Sequence, residues 1–232
     1  MRLDRWQTIL NEGKLEWETT QLSRVIVQIL KQIIDDINDE VPIKFSLEAN
    51  NFLDKPIEWL SDVDVYVIAQ FMGDDPTVPP VVVNAGYSRS EFEPEHSDIE
   101  VYIYFPPEPS LKHLAEVVPK LKEVLRHELE HAVQSTETIR QIGGVPDFSS
   151  VDDVREKYLS DGEVAAWVSG LYKSAKTSRI PFSEYVNWQI EGFRERLKAE
   201  IDIEKHPEVD KLLKDLRTKW LAYARERYPR AY

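Results

Sequence analysis

The chain reads as an α+β protein, with one helix and a small sheet first and a run of helices after it. Three observations predict this. Apolar residues recur every three or four positions across 19–39, four β-branched or alternating runs follow between Val41 and Phe105, and from Ser110 onward the pattern is helical to the end.

The first helix carries Leu22, Val25, Ile26, Ile29, Leu30, Ile33, Ile34 and Ile37 on one face. The residues before it, Met1 to Thr20, read as a terminal packing segment or as a latency segment over a cleft. The strands are Val41–Leu47, Val63–Phe71, Val81–Tyr87 and Ile99–Phe105; in the last, Ile99, Val101, Ile103 and Phe105 alternate with Glu100, Tyr102 and Tyr104. Asp74-Asp75-Pro76 separates the second strand from the third, and an acidic loop, Ser88 to Ser97, separates the third from the fourth. Pro119 lacks a backbone donor, so it ends one helix, or starts or kinks the next. A helix then runs to about Thr138, with Gly143-Gly144 as a turn beyond it. Further helices are expected over 151–159, 161–176, 182–200 and 207–228. The expected division is 1–138 and 139–232, two lobes of one compact unit with a cleft between them.

Composition narrows the function. The chain has 232 residues with 29 Lys and Arg against 42 Asp and Glu, a net charge of −13. Such a balance disfavours nucleic-acid and anionic-membrane partners. Lys211, Lys214, Arg217, Lys219, Arg225, Arg227 and Arg230 make the C-terminal stretch locally basic, as the solvated face of a terminal helix. There is no cysteine, which excludes disulfides and thiolate metal ligands. No secretory signal or membrane-spanning run is visible, so a cytoplasmic location is expected.

One motif carries chemistry. His127-Glu128-Leu129-Glu130-His131 reads His-Glu-x-x-His within a helix. Residues four apart lie on one helix face, so both imidazoles can reach one metal ion, and Glu128 stands beside the first as a base. At about 100° per residue, Glu128 falls in the middle of an apolar arc made by Leu114, Val117, Leu121, Val124, Leu125 and Ala132. Arg126, Glu130, Glu123 and Gln134 fall on the opposite face and read as solvated. A carboxylate aimed into an apolar face needs a cation, a proton or a water to satisfy it.

A catalytic zinc takes three protein ligands and keeps one position open. Glu137 would project to the solvent side, and Gln134 stands where a turn back toward the metal would need glycine. Glu163 is the better third ligand. It opens a helix whose Gly162, Ala166, Gly170 and Ser174 recur every four residues, a stripe that permits close backbone approach. Ser160-x-x-Glu163 is also a capping box, in which Glu163 serves its own helix start. His113 reads as a surface or packing histidine. His96, among Glu91, Glu93, Glu95, Asp98 and Glu100, reads as part of a solvated acidic loop.

On the residues from Val124 to Gln134 and from Tyr158 to Ala166, the chain resembles a zincin zinc metallopeptidase. The branch it looks like is the gluzincins, and among them the short phage and bacterial type. The resemblance implies a zincin-like fold, with a small mixed sheet packed on the motif helix and a helical C-terminal lobe. It implies one Zn2+ held by His127, His131 and Glu163, Glu128 as general base, and a protein or peptide substrate. Where thermolysin-like members have an aspartate that orients a ligand histidine, this chain has Trp167, so Asp161 or a backbone carbonyl must take that part. Tyr158, Tyr172, Tyr185 and Arg140 are the candidate oxyanion donors. The strand Ile99–Phe105 is the expected edge on which an extended substrate would lie. Two other readings stay open: a non-catalytic zincin-like binding or virion-assembly protein, and a narrow regulatory protease that cuts one intracellular protein.

Overall fold

The computed structural model describes residues 3–37, 41–52, 63–72, 81–89, 96–134, 138, 150–200 and 207–229, with side chains from Leu15 onward except that of Glu200. The chain divides into two compact units, Met1–Ala132 and Val133–Tyr232. Among the described residues, no helix is long and apolar enough to cross a membrane.

The first unit opens with α1 (Leu3–Ile33), which runs into a 3-10 turn over Ile34–Asp36. The helix begins well before position 19, so the residues from Leu3 onward are already part of it. Its buried seam explains the difference. Leu15, Glu18, Thr19, Leu22, Ser23, Ile26 and Leu30 are all buried at helical spacing, but three of them are polar. A purely apolar count therefore stops at Leu22. Two hydroxyls are satisfied within the helix: Thr19 Oγ1 donates to the Leu15 carbonyl at 2.6 Å and Ser23 Oγ to the Thr20 carbonyl at 3.0 Å.

Four strands follow, β1 (Ile43–Glu48), β2 (Val63–Phe71), β3 (Val82–Arg89) and β4 (Ser97–Phe105), in the sheet order β1-β2-β4-β3. The sheet is mixed: β2 and β4 are parallel, while β1 and β3 pair antiparallel to them. On the inner face, Val65, Val67 and Ala69 of β2 stand opposite Ile99, Val101 and Ile103 of β4, and all six are fully buried. The outer face carries Tyr66 beside Glu100 and Ile68 beside Tyr102. The expected edge position of Ile99–Phe105 is thus overturned. β4 has a partner on each side, and among the described residues the edges are β1 and β3. Alternation along a strand reports which face is buried; it carries no information about lateral neighbours.

The motif helix α2 (Leu111–Ala132) packs against α1 and against β3 and β4, closing one core with the inner sheet face. It continues through Pro119 without a break. The carbonyl that loses its donor there belongs to Ala115, an exposed residue, where water can replace the missing bond. The helix stops at Ala132 rather than near Thr138.

The second unit contains α3 (Val151–Tyr158), α4 (Asp161–Ser178), α5 (Phe182–Glu200) and α6 (Glu208–Arg227), close to the bounds read from periodicity. Its own core is largely aliphatic and holds an aromatic cluster: Trp167 stacks on Trp220 with centroids 5.8 Å apart, and Phe193 meets both edge-on. The expected breaks at Asp74-Asp75-Pro76 and Gly143-Gly144, and most of the acidic loop, lie outside the described residues.

Candidate metal centre

The buried row of α2 runs Leu114, Val117, Leu121, Leu125 and then Glu128, so the carboxylate takes the next place in an apolar line. Glu128 is only 6% exposed, as its place in the apolar arc requires. His131 is buried as well, and the His127 side chain is 15% exposed.

The two imidazoles converge. Their Nε2 atoms lie 3.1 Å apart, with ring centroids 4.8 Å apart and planes at 77°. Two nitrogens bound to one tetrahedral zinc at about 2.05 Å each would be about 3.3 Å apart. The donor set therefore fits such an ion with almost no rearrangement. Without a cation, the same contact requires one ring to keep its proton on Nε2 and donate it to the other. His127 Nε2 lies 4.0 Å from Glu128 Oε1, and donor atoms of His127, Glu128 and His131 all fall within 4.8 Å of one another.

The rest of the last two turns departs from expectation. Arg126 and Glu130, read from the sequence as solvated, are 1% and 6% exposed. Arg126 Nη1 donates to Glu130 Oε2 at 2.6 Å, a buried ion pair one residue ahead of each histidine. Helical periodicity does not reveal this pair, because the phase that gathers the apolar residues leaves Arg126 and Glu130 on the opposite side.

Glu163 belongs to the second unit, whereas both histidines belong to the first. It is 4% exposed, and its Oε1 lies 3.6 Å from Lys157 Nζ. Ser160 is a true N-cap: its Oγ accepts from the Glu163 N–H at 3.3 Å. The return limb of a capping box would bring the Glu163 carboxylate to the Ser160 N–H. That N–H instead donates to the Lys157 carbonyl at 3.0 Å, so the cap does not require the carboxylate. Gly162, Ala166, Gly170 and Ser174 are all buried.

The other sequence candidates take structural parts. Asp161 is a surface partner of Lys219 at 2.8 Å with its side chain 96% exposed, which does not suit a histidine-orienting acceptor. The Tyr158 ring packs with Trp167 and Phe193, and burial pushes its hydroxyl up to about 12. Tyr172 stacks on Tyr228, and the Tyr185 hydroxyl bonds to Ser174 Oγ at 2.7 Å. Arg140 and Glu137 lie outside the described residues. His113 Nδ1 accepts from the Ser110 N–H at 3.0 Å, a helix-start role.

A second group, Asp64, His96 and Asp98, brings its donor atoms within 4.8 Å on the outer sheet face. Asp64 and Asp98 are register partners on parallel strands, and His96 Nε2 lies 3.4 Å from Asp64 Oδ2. The two carboxylates, Asp64 foremost, raise the Tyr66 hydroxyl above its ordinary value.

Two neighbours of the histidine pair escaped sequence reading. The Tyr87 ring lies 6.2 Å from that of His131, and Arg89 Nη2 donates to the Ala132 carbonyl at 3.0 Å. Their only sequence signal is the two-residue spacing that puts both on one face of a strand. No family model, no curated protein and no solved structure matches this chain.

Proposed function

We propose that the chain is a zinc-dependent metallopeptidase, with His127 and His131 as metal ligands, Glu163 as the third ligand and Glu128 as general base. One observation carries the reading: two Nε2 atoms 3.1 Å apart with a buried carboxylate on the adjoining residue. A bound zinc ion would act there as a Lewis acid that polarises a carbonyl and brings a water's pKa down to about 7.

The remaining chemistry belongs to the chain. Glu128, held in an apolar row, takes the proton of the attacking water and passes it to the departing amine. Its low exposure keeps bulk water from competing for that proton. The helix fixes the carboxylate relative to both imidazoles, so little orientation entropy remains to be lost in the reaction. Glu163 is assigned by its helix-opening position and by the buried stripe of Gly162, Ala166, Gly170 and Ser174 on its helix, and as a ligand its carboxylate would exchange Lys157 for the metal. An extended peptide would add to β3, the edge strand on which α2 packs, with main-chain hydrogen bonds giving affinity.

A binding or assembly protein of the same shape would have no use for a base at position 128. Glu128→Gln separates the alternatives. It should lower cleavage of an unstructured protein by about 100-fold or more while zinc content is unchanged. Hydrolysis at the wild-type rate in that variant would overturn the assignment.

A further inference from the structure

His131 sits one residue from the C-terminal end of α2. That is a poor place for a rigid ligand, because the last turn of a helix has carbonyls without intrahelical donors and tends to fray. A frayed turn would swing the imidazole away from His127. Something must hold the end of this helix.

The edge strand supplies it. Arg89 Nη2 donates to the carbonyl of Ala132, the final helical residue, at 3.0 Å. Arg89 Nε donates to the Tyr87 hydroxyl at 2.8 Å, and the guanidinium carbon lies 5.6 Å from the Tyr87 ring centroid. The Tyr87 ring in turn lies 6.2 Å from the His131 ring, tilted by 32°. The contacts form a closed circuit, from Ala132 through Arg89 and Tyr87 to His131, that starts and finishes on neighbouring residues of one helix. A basic group at a helix C-terminus also suits the helix dipole. Charge alone would work against a cation bound nearby, so the value of the guanidinium lies in where it holds the chain.

We infer that Arg89 and Tyr87 are positioning residues for His131, a clamp from strand β3 that keeps its imidazole in register with that of His127. The inference rests on the proposed metal centre and adds to it residues outside the His-Glu-x-x-His motif. Tyr87 contributes in two separable ways: its ring touches His131, and its hydroxyl ties that ring to Arg89.

The test is metal titration of the full chain as wild type, Arg89→Ala, Arg89→Lys and Tyr87→Phe, using zinc against a chromophoric chelator and Co(II) for its visible absorption. Thermal unfolding of each metal-free protein runs alongside. Arg89→Ala should weaken zinc binding by about 10- to 100-fold, the range for residues that orient a ligand histidine. It should also alter the Co(II) bands. Arg89→Lys should recover part of the affinity, because an ammonium keeps a donor for the Ala132 carbonyl but lacks the planar fork that holds both acceptors in one geometry. Tyr87→Phe, which keeps the ring, should give a smaller loss of the same kind and covers the case in which Arg89→Ala does not fold. Wild-type affinity and unchanged Co(II) bands in Tyr87→Phe and in whichever Arg89 variants fold would overturn the clamp and leave the centre standing. A wild-type chain that binds neither ion would remove the centre, and the clamp with it.

Discussion

Glu130→Ala tests how the end of the motif helix is enclosed. Arg126 and Glu130 stand one turn apart on α2 with Nη1 and Oε2 at 2.6 Å and side-chain exposures of 1% and 8%. If that pair were solvated, its loss would cost about 0.3–0.5 kcal/mol, as for other exposed pairs of this spacing. Removing one member of a buried pair costs about 3–5 kcal/mol, because the remaining charge keeps its desolvation penalty. The two values differ severalfold, so the measurement decides between them. Urea unfolding of the wild type and Glu130→Ala at neutral pH should show a loss of about 3 kcal/mol, a large share of ordinary domain stability. The double variant Arg126→Met with Glu130→Leu should lie much nearer wild type, since it buries no charge. A single-variant loss under about 1 kcal/mol would refute the enclosure, and so would a double variant as unstable as the single.

Two further predictions follow from shifted or crowded groups. Burial raises the Tyr158 hydroxyl from 10.0 to about 12, so the folded state keeps a proton that the unfolded chain releases. Its contribution is present below pH 10 and is lost as pH rises toward 12, about 3 kcal/mol in all. The stability difference between wild type and Tyr158→Phe should therefore shift against the wild type over that window, and parallel curves would contradict it. On the outer sheet face, Asp64 and Asp98 are adjacent like charges, and Asp98 Oδ1 is buried with no hydrogen-bond partner among the described residues. Asp98→Asn should stabilise by about 0.5 kcal/mol and bring the Tyr66 hydroxyl down toward its ordinary value. A destabilised variant would show that the carboxylate is held by a cation or a donor.

Much of the architecture was legible because its elements obey simple periods. The β-branched and apolar run bounds Val63–Phe71, and the helical pattern puts α3 to α6 within a residue or two of their observed ends. Glu128 was placed in the buried face because only one phase of the helix collects Leu114, Val117, Leu121 and Leu125. What failed had a common physical cause. The start of α1 is not legible in the sequence because Glu18, Thr19 and Ser23 are polar yet buried, and the burial of Arg126 with Glu130 is hidden for the same reason. Pro119 looked like a breaker because the solvent access of Ala115 is a tertiary property. The interior place of β4 depends on pairing between distant strands. The Arg89–Ala132 bond joins residues 43 apart, and no local pattern announces such a contact. The sequence named the motif, but the pieces that hold it came from tertiary packing.

The most direct test is the metal content of the purified chain, read by elemental analysis beside His131→Ala and Glu163→Ala variants that remain folded. The account predicts one zinc per wild-type chain, none in His131→Ala, and a marked loss in Glu163→Ala. Zinc retained in Glu163→Ala would return that residue to its own helix and remove it from the ligand set. A wild-type chain that takes up no zinc, or a His131→Ala chain that holds as much as the wild type, would contradict the account at its root.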